Sequence, residues 1–142
     1  MKIPFLLLFC FLYSSCLLIK DNDSLDNSDL VYLEELGLFS KNEKIIWFDS
    51  QLDKKTSGNF LTDKKVASYW IDNYDSSKSY KHLFLLKEID SLQLFDLSES
   101  ATMASYIKVY SNGKSMKLYI DKDSAVLNNY VKEIKLAIKN RD

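Results

Sequence analysis

The chain is poor in the residues that form most recognisable active sites. Its 142 residues include two cysteines, one histidine, one proline and three glycines. Both cysteines, Cys10 and Cys16, lie near the start, so the body of the chain has no thiol for a disulfide, a zinc site or a nucleophile. With only three glycines, the sequence has no glycine-rich loop of the kind that binds phosphate groups. The formal net charge of −1 lacks the basic excess that non-specific nucleic-acid binding needs, and we expect no nucleic-acid partner.

The single histidine and the aspartate pairs do not form a catalytic arrangement. His82 has no G-x-S-x-G motif to work with, and we interpret it as a strand residue at a sheet surface. Paired carboxylates such as Asp72 and Asp75, or Asp121 and Asp123, can do acid–base chemistry. Each pair falls in a predicted turn or helix cap, where aspartate is common, without a nucleophilic or basic partner at a sensible spacing. We therefore expect no enzyme activity, no metal and no cofactor.

What the chain does have is an apolar beginning. Lys2 precedes an apolar run over residues 3–11, and Ser14 and Ser15 stand directly before Cys16. A positive start, an apolar run of this length and small residues at its end are the plan of a secretory signal peptide. The stretch Leu-Tyr-Ser-Ser-Cys that ends at Cys16 resembles the lipobox of bacterial lipoproteins, with a tyrosine where an aliphatic residue is usual. The resemblance implies cleavage before Cys16 and attachment of a lipid to it.

Two other interpretations of this beginning stay open. A plain secretory cleavage would release a body without lipid, and an uncleaved apolar stretch over residues 3–19 has about the minimum length of a membrane span. All three interpretations place the body outside the cytoplasm, because Lys2 stays inside and the acidic segment after Ile19 is exported. The predicted location is extracytoplasmic, either membrane-anchored as a lipoprotein or, alternatively, secreted.

The rest of the chain divides into a short tether and one domain. Lys20 to Asp29 hold four aspartates and almost nothing apolar, which is typical of a solvated, flexible segment. We therefore predict a signal peptide with lipobox over 1–16, an acidic flexible tether over 17–29 and a single domain over 30–142, long enough to bury one core.

The body begins with a predicted helix and continues as predicted strands. Leu30, Leu33 and Leu36 share one helical face, and the helix is expected to end near Gly37. Strands are predicted over 43–49, 61–72, 80–89 and 91–96, with a break near 88–91. Within 61–72 the side chains alternate, with Val66, Ser68 and Trp70 on one side and Ala67, Tyr69 and Ile71 on the other.

Residues 105–120 predict a hairpin. Asn112 and Gly113 suit a type I′ turn, which needs positive φ at both central residues. A loop of these two residues determines the register, and a slip of one residue would bury lysines. The expected cross-strand pairs are Ser111–Lys114, Val109–Met116 and Ile107–Leu118, with Tyr110–Ser115, Lys108–Lys117 and Tyr106–Tyr119 on the second, more polar face.

The chain ends in a predicted helix that Asp123 or Ser124 can cap. Apolar residues recur at helical spacing and are expected to pack on the sheet. They are Leu127, Tyr130, Val131, Ile134, Ala137 and Ile138.

This order of motifs resembles the bacterial PH-like (pleckstrin-homology-like) domains. The resemblance is carried by a strand that opens with EKII, by FLTDKKVASYW at 60–70, by the step Ile89-Asp90-Ser91-Leu92, and by the final hairpin and helix. It covers roughly residues 36–139. It implies an α+β, mainly β fold, a PH-like barrel of two near-orthogonal antiparallel sheets closed at one end by the C-terminal helix, and it brings no catalytic residues.

In the same resemblance, Asp63 and Lys64 form a turn and Lys64-Lys65 begin the next strand. We interpret these three residues as ordinary turn residues whose charged side chains are exposed to solvent.

These observations favour a non-enzymatic, membrane-tethered binding or scaffolding module. The candidate binding surface is the polar face of the hairpin, where opposed lysines repel and tyrosines offer amphipathic rings, a combination that suits an anionic or aromatic group. The simpler interpretation is that tyrosine is a good strand residue. An alternative function is a small secreted or envelope inhibitor, or immunity-type protein, that blocks a partner through a sheet edge. The candidate surface consists of Tyr106, Lys108, Tyr110, Lys117 and Tyr119.

Overall fold

The computed structural model describes residues 24–141. The predicted signal peptide with Cys16 and the first part of the predicted tether lie outside these residues. In the part described, no helix is long and apolar enough to cross a membrane. The elements in chain order are α1 (Asn27–Glu35), β1 (Ile45–Asp49), β2 (Ser57–Thr62), β3 (Lys65–Trp70), β4 (Tyr80–Leu85), β5 (Ile89–Phe95), β6 (Ser105–Ser111), β7 (Lys114–Ile120) and α2 (Ser124–Lys139), with 3₁₀ turns at Ser76–Lys78 and Leu86–Glu88.

Helix α1 starts earlier than the sequence predicts. Asn27 to Asp29, predicted as tether, belong to the helix. The carboxylate of Asp26 accepts the backbone N–H groups of Ser28 at 2.8 Å and Asp29 at 3.0 Å, and the Asp29 carboxylate accepts the N–H of Asp26 at 3.0 Å. This reciprocal capping box satisfies N–H groups that a helix start leaves open, so these acidic residues begin the domain. The helix ends before Gly37, whose φ is +75°, as predicted.

The strands form two antiparallel sheets. Sheet A has four strands in the order β1-β2-β3-β4, and sheet B has three in the order β5-β6-β7. The predicted strand over 61–72 is wrong in its bounds: β2 begins earlier, at Ser57, and ends at Thr62, and β3 runs from Lys65 to Trp70. The early start was missed because Ser57 to Asn59 are residue types common in turns. Asp63 and Lys64 connect β2 to β3, as the resemblance implies.

The boundary between β4 and β5 also lies near the predicted break. β4 ends at Leu85, a 3₁₀ turn follows, and β5 begins at Ile89. The pairing of β5 with β6 shifts between Ile89 and Ser91, which is a β-bulge. The chain therefore changes from sheet A to sheet B within three residues, 86 to 88.

The final hairpin has the predicted register. Val109 pairs with Met116 and Ile107 with Leu118. Asn112 has a φ of +49° and Gly113 a φ of +74°, as a type I′ turn requires. The inward face of the hairpin is therefore apolar, whereas its other face carries the tyrosines and lysines and is not buried in the core.

The main core lies between the two sheets and α2. Asp123 caps α2 by accepting the N–H of Val126 at 2.9 Å, and the helix buries Leu127, Tyr130 and Ile134 in this core. The ring of Tyr130 stacks on that of Trp47, with 4.3 Å between centroids and 8° between planes. This stacking connects the terminal helix to sheet A, and the predicted packing of the helix is confirmed.

A second core covers the other side of sheet A. Helix α1 and the turn after it bury Leu33, Leu38 and Phe39 against this side of the sheet. The sheet contributes Phe48, Phe60, Ala67 and Tyr69. Sheet A is thus covered on both faces, whereas one face of sheet B holds only exposed and half-buried side chains.

Candidate binding surface

The uncovered side of sheet B, here called the outer face, has nine side chains in three rows. Each row crosses β5, β6 and β7, because the strands are in register. Along a strand, rows are separated by two residues, or about 7 Å. All five residues of the predicted surface lie on this face. The rows are Phe95, Tyr106 and Tyr119; Gln93, Lys108 and Lys117; and Ser91, Tyr110 and Ser115.

The first row is a line of aromatic rings. Phe95 stacks on Tyr106 with 4.5 Å between centroids and 18° between planes. Tyr106 contacts Tyr119 at 5.6 Å and 53°. Because the rings of Phe95 and Tyr106 face each other, each covers one flat side of the other. The row presents the remaining ring surfaces and the tyrosine hydroxyls.

The two lysines of the middle row reach in opposite directions. Lys117 Nζ lies 4.6 Å from the ring centroid of Tyr106 and 5.9 Å from that of Tyr119, both in the first row. Lys108 Nζ lies 4.9 Å from the ring centroid of Tyr110, in the third row. Such cation–π contacts contribute about 0.5–1 kcal/mol each at exposed sites. They separate two like charges that would otherwise repel directly across the strands.

The outer face is positively charged. None of its nine side chains is a carboxylate, and among residues 24–141 neither lysine takes part in an ion pair. The nearest acidic residue along β5, Asp90, uses its carboxylate to accept the N–H of Asn112 at 2.7 Å. Tyr110 donates its hydroxyl hydrogen to Gln93 Oε1 at 3.1 Å, which orients the third row. Ammonium groups and hydroxyls able to bind an anionic group are therefore placed together on a face whose nine side chains include no carboxylate.

Phe95 and Gln93 belong to this surface although the sequence analysis did not include them. Their partners on β6 follow from the pairing of two strands that are separated by a long loop and offset by a bulge. The alternation of side chains within one strand does not predict which residues of another strand it pairs with.

Asp72, Asp75 and His82 have local roles. Asp72 accepts the N–H groups of Tyr74 and Asp75, each at 2.9 Å, and the bond from Asp75 contributes most to holding the Asp72 pKa below its usual range. The Ser77 hydroxyl, at 2.6 Å, is the main cause of the lowered pKa of Asp75. His82 is exposed on β4 and stacks on Tyr80 at 5.2 Å. No group of three residues suited to hold a metal is found among residues 24–141.

The predicted solvated charge at the β2–β3 turn is wrong for one lysine. Lys64 is exposed, but Lys65 is buried and pairs with Glu43, with 2.9 Å between Nζ and Oε1. Thr62 donates its hydroxyl hydrogen to Glu43 Oε2 at 2.9 Å and accepts the N–H groups of both lysines at 3.0 Å. Asp63 accepts the N–H of Lys44 at 2.9 Å. This polar cluster connects the turn to the segment before β1.

A cleft of about 510 Å³ lies beside the same turn. The guanidinium of Arg141 spans it by donating to the carbonyl of Leu86. The charged side chains that line it are all exposed. The lining residues are Asp63, Lys64, Leu85, Leu86, Lys87, Asn140 and Arg141.

The two sheets and the terminal helix are the architecture of a PH-like domain, and solved structures share it. A DUF1696-family protein with a pleckstrin-homology domain from Shewanella loihica PV-4 is similar at a TM-score of 0.53 and 16% identity, over 84% of this chain and 95% of that one. A pleckstrin-homology domain from Shewanella amazonensis SB2B is similar at a TM-score of 0.53 and 15% identity, over 79% of this chain and 87% of that one. No family model and no curated protein matches the chain. At these identities the similarity is one of fold.

Proposed function

We propose that the protein is a non-enzymatic binding or scaffolding module and that the outer face of sheet B contacts its ligand. The observation that carries this proposal is the placement of Lys108 and Lys117 over tyrosine rings without a carboxylate partner. Ordinary protein surfaces intersperse charges of both signs, and aromatic residues are enriched where proteins bind partners. The outer face departs from an ordinary surface in both respects.

A charge-reversal experiment tests this role. The double variant Lys108→Glu/Lys117→Glu keeps the hairpin but reverses the charge of its outer face. We expect it to lose partners that the wild-type chain retains in a pull-down after crosslinking in cells. The matched control is Lys132→Glu/Lys135→Glu, which changes the same number of exposed lysines on α2. If the outer-face variant keeps every partner, the proposed role of this surface is wrong.

We further propose that Cys16 is lipidated and holds the domain at the outer side of a membrane. The signal-like apolar run, the two serines before Cys16 and the absence of any later cysteine support this proposal. Intact-mass measurement of membrane-extracted protein should show a diacylglyceryl-modified chain that begins at Cys16. Cys16→Ser should abolish that species, while Cys10→Ser should leave it unchanged. An unmodified chain that retains Met1 would contradict the proposal, and an unmodified cleaved chain would favour a secreted protein.

The alternative function, an inhibitor or immunity-type protein, would use a free sheet edge. Strand β4 is an edge strand of sheet A, paired with β3 alone, and its residues 81–83 are exposed. Added strands bind such edges through main-chain hydrogen bonds. A stable complex with a secreted toxin or hydrolase that survives Lys108→Glu/Lys117→Glu would favour this alternative over the first proposal.

A further inference from the structure

We infer that the outer face of sheet B binds an extended acidic segment of a soluble partner protein, an inference that rests on the proposed binding role of this face. Three features of the structure lead to this occupant: the charge of the face, the spacing of its cations and its position relative to α1.

The charge of the face differs from that of the whole chain. The chain has 20 acidic and 19 basic residues, so on average it repels neither sign of charge strongly. The outer face holds two lysines and no carboxylate. The outer face therefore favours a negatively charged partner, although the chain as a whole does not.

The spacing of the cations fits an extended segment. Lys117 Nζ leans toward the first row and Lys108 Nζ toward the third, so the two positive charges are spread along the strand direction. Rows repeat about every 7 Å, which is also the distance between alternate side chains of an extended chain. Acidic residues at alternate positions of such a segment would meet the ammonium groups and the tyrosine hydroxyls in turn.

The position of the outer face disfavours a membrane surface as its occupant. Helix α1, which the N-terminal segment enters, packs on the side of sheet A that faces away from sheet B. The outer face therefore lies on the opposite side of the two sheets from the point where the chain enters α1, which favours a soluble partner over the surface to which the chain would be anchored.

The inference can be tested by NMR on the full chain in neutral detergent. The probe is a peptide of alternating glutamate and serine, and the same peptide with lysine in place of glutamate is the control. We expect the acidic peptide to shift backbone signals of β5, β6 and β7 at the nine outer-face residues, and the basic peptide to leave them unchanged. Added salt should weaken the effect because the charges are exposed.

Variants identify the charges involved. Lys108→Gln/Lys117→Gln should weaken binding about fivefold, the size expected for the loss of two exposed charge contacts. Lys132→Gln/Lys135→Gln on α2 should bind as the wild type does. Absence of outer-face shifts, or equal weakening by both variants, would show that the acidic-segment inference is wrong.

The membrane alternative is an outcome of the same experiment. Without peptide, the outer-face signals of the full chain should be the same in nanodiscs of phosphatidylcholine and of phosphatidylglycerol. A change with phosphatidylglycerol would make the lipid surface the occupant and would overturn the inference. If the peptide fails to bind while Lys108→Glu/Lys117→Glu still loses cellular partners, the binding role stands and only the acidic-segment inference fails.

Discussion

Glu43 and Lys65 form a buried ion pair at the turn between β2 and β3. Nζ and Oε1 are 2.9 Å apart, and the two side chains are only 4% and 10% exposed, respectively. The Thr62 hydroxyl donates to the second carboxylate oxygen at 2.9 Å, so the charge of Glu43 has partners on both oxygens. A buried charge that loses its partner keeps its desolvation cost without the compensating attraction. This pair therefore makes the turn sensitive to loss of either member.

Lys65→Met should destabilise the protein by about 3 kcal/mol, because it leaves the Glu43 carboxylate buried without its cation. Lys64→Met, a change of the adjacent exposed lysine, should alter the free energy of unfolding by less than about 0.5 kcal/mol. Urea unfolding followed by tryptophan fluorescence measures both values. The double variant Glu43→Leu/Lys65→Met should be more stable than Lys65→Met alone, since it removes both charges. Equal effects of Lys64→Met and Lys65→Met would contradict the buried pair.

The same turn shows what the sequence can and cannot predict. The hairpin register follows from local signals, Asn112-Gly113 and the period-2 alternation, whereas the PH-like fold was expected from the resemblance of the motifs to that family. Burial of Lys65 depends on Glu43, which is distant in sequence and meets it only when β1 pairs with β2. A charged residue in a turn is expected to be exposed to solvent, and only the tertiary structure shows that Lys65 is buried.

The start of β2 was missed for a related reason. Gly58 and Asn59 are typical turn residues, yet both are buried in the middle of sheet A. Each is required there by a tertiary contact: Gly58 by the close approach of Tyr69, and Asn59 by a hydrogen bond to sheet B. The candidate surface was likewise predicted only in part. Its hairpin residues follow from local alternation, whereas the membership of Phe95 depends on how β5 pairs with β6.

Asn59 connects the two sheets. Its Nδ2 donates to the carbonyl of Tyr119 at 2.7 Å, and its Oδ1 accepts the hydroxyl hydrogen of Ser68 at 2.8 Å. Asn59→Leu should destabilise the protein by about 2–3 kcal/mol, because the carbonyl and the hydroxyl would both lose a buried partner. Thermal unfolding by circular dichroism measures the loss. Ser91→Ala, an exposed change on the outer face, should leave the melting temperature nearly unchanged.

The Asn59 variant also has a local signature. Tyr119 stands in the aromatic row of the outer face, so loss of its backbone anchor should shift NMR signals of that row before global unfolding. A melting temperature for Asn59→Leu within error of the wild type would show that the two sheets do not depend on this bond.

Gly58 should not tolerate a side chain. A Cβ at this position would lie 2.6 Å from a ring carbon of Tyr69 and 2.8 Å from one of Phe48, both buried in the core beneath α1. Gly58→Ala is expected to cost about 1–3 kcal/mol, the range for an overpacked core. It should also displace the Tyr69 hydroxyl from the carbonyl of Lys54 and so loosen the β1–β2 loop, in which the Lys54 ammonium pairs with Asp29 of α1 at 2.9 Å. Hydrogen exchange of the α1 amides tests the second effect, and unchanged exchange together with unchanged stability would contradict the close packing.

Acid should weaken the start of α1 through Asp26. Its pKa is held below the usual carboxyl range, mainly by the hydrogen bond from the Ser28 hydroxyl and then by the N–H of Asp29. A carboxyl whose folded pKa is lowered stabilises the fold above the ordinary carboxyl pKa, and this contribution is lost as the pH falls through the lowered value.

NMR titration toward low pH should therefore show α1 amides losing protection in that range. Asp26→Asn keeps an acceptor oxygen but cannot titrate, so its helix start should lack this acid transition, whereas Asp121→Asn should retain it. An identical acid transition in Asp26→Asn would assign the loss of the cap to another carboxyl.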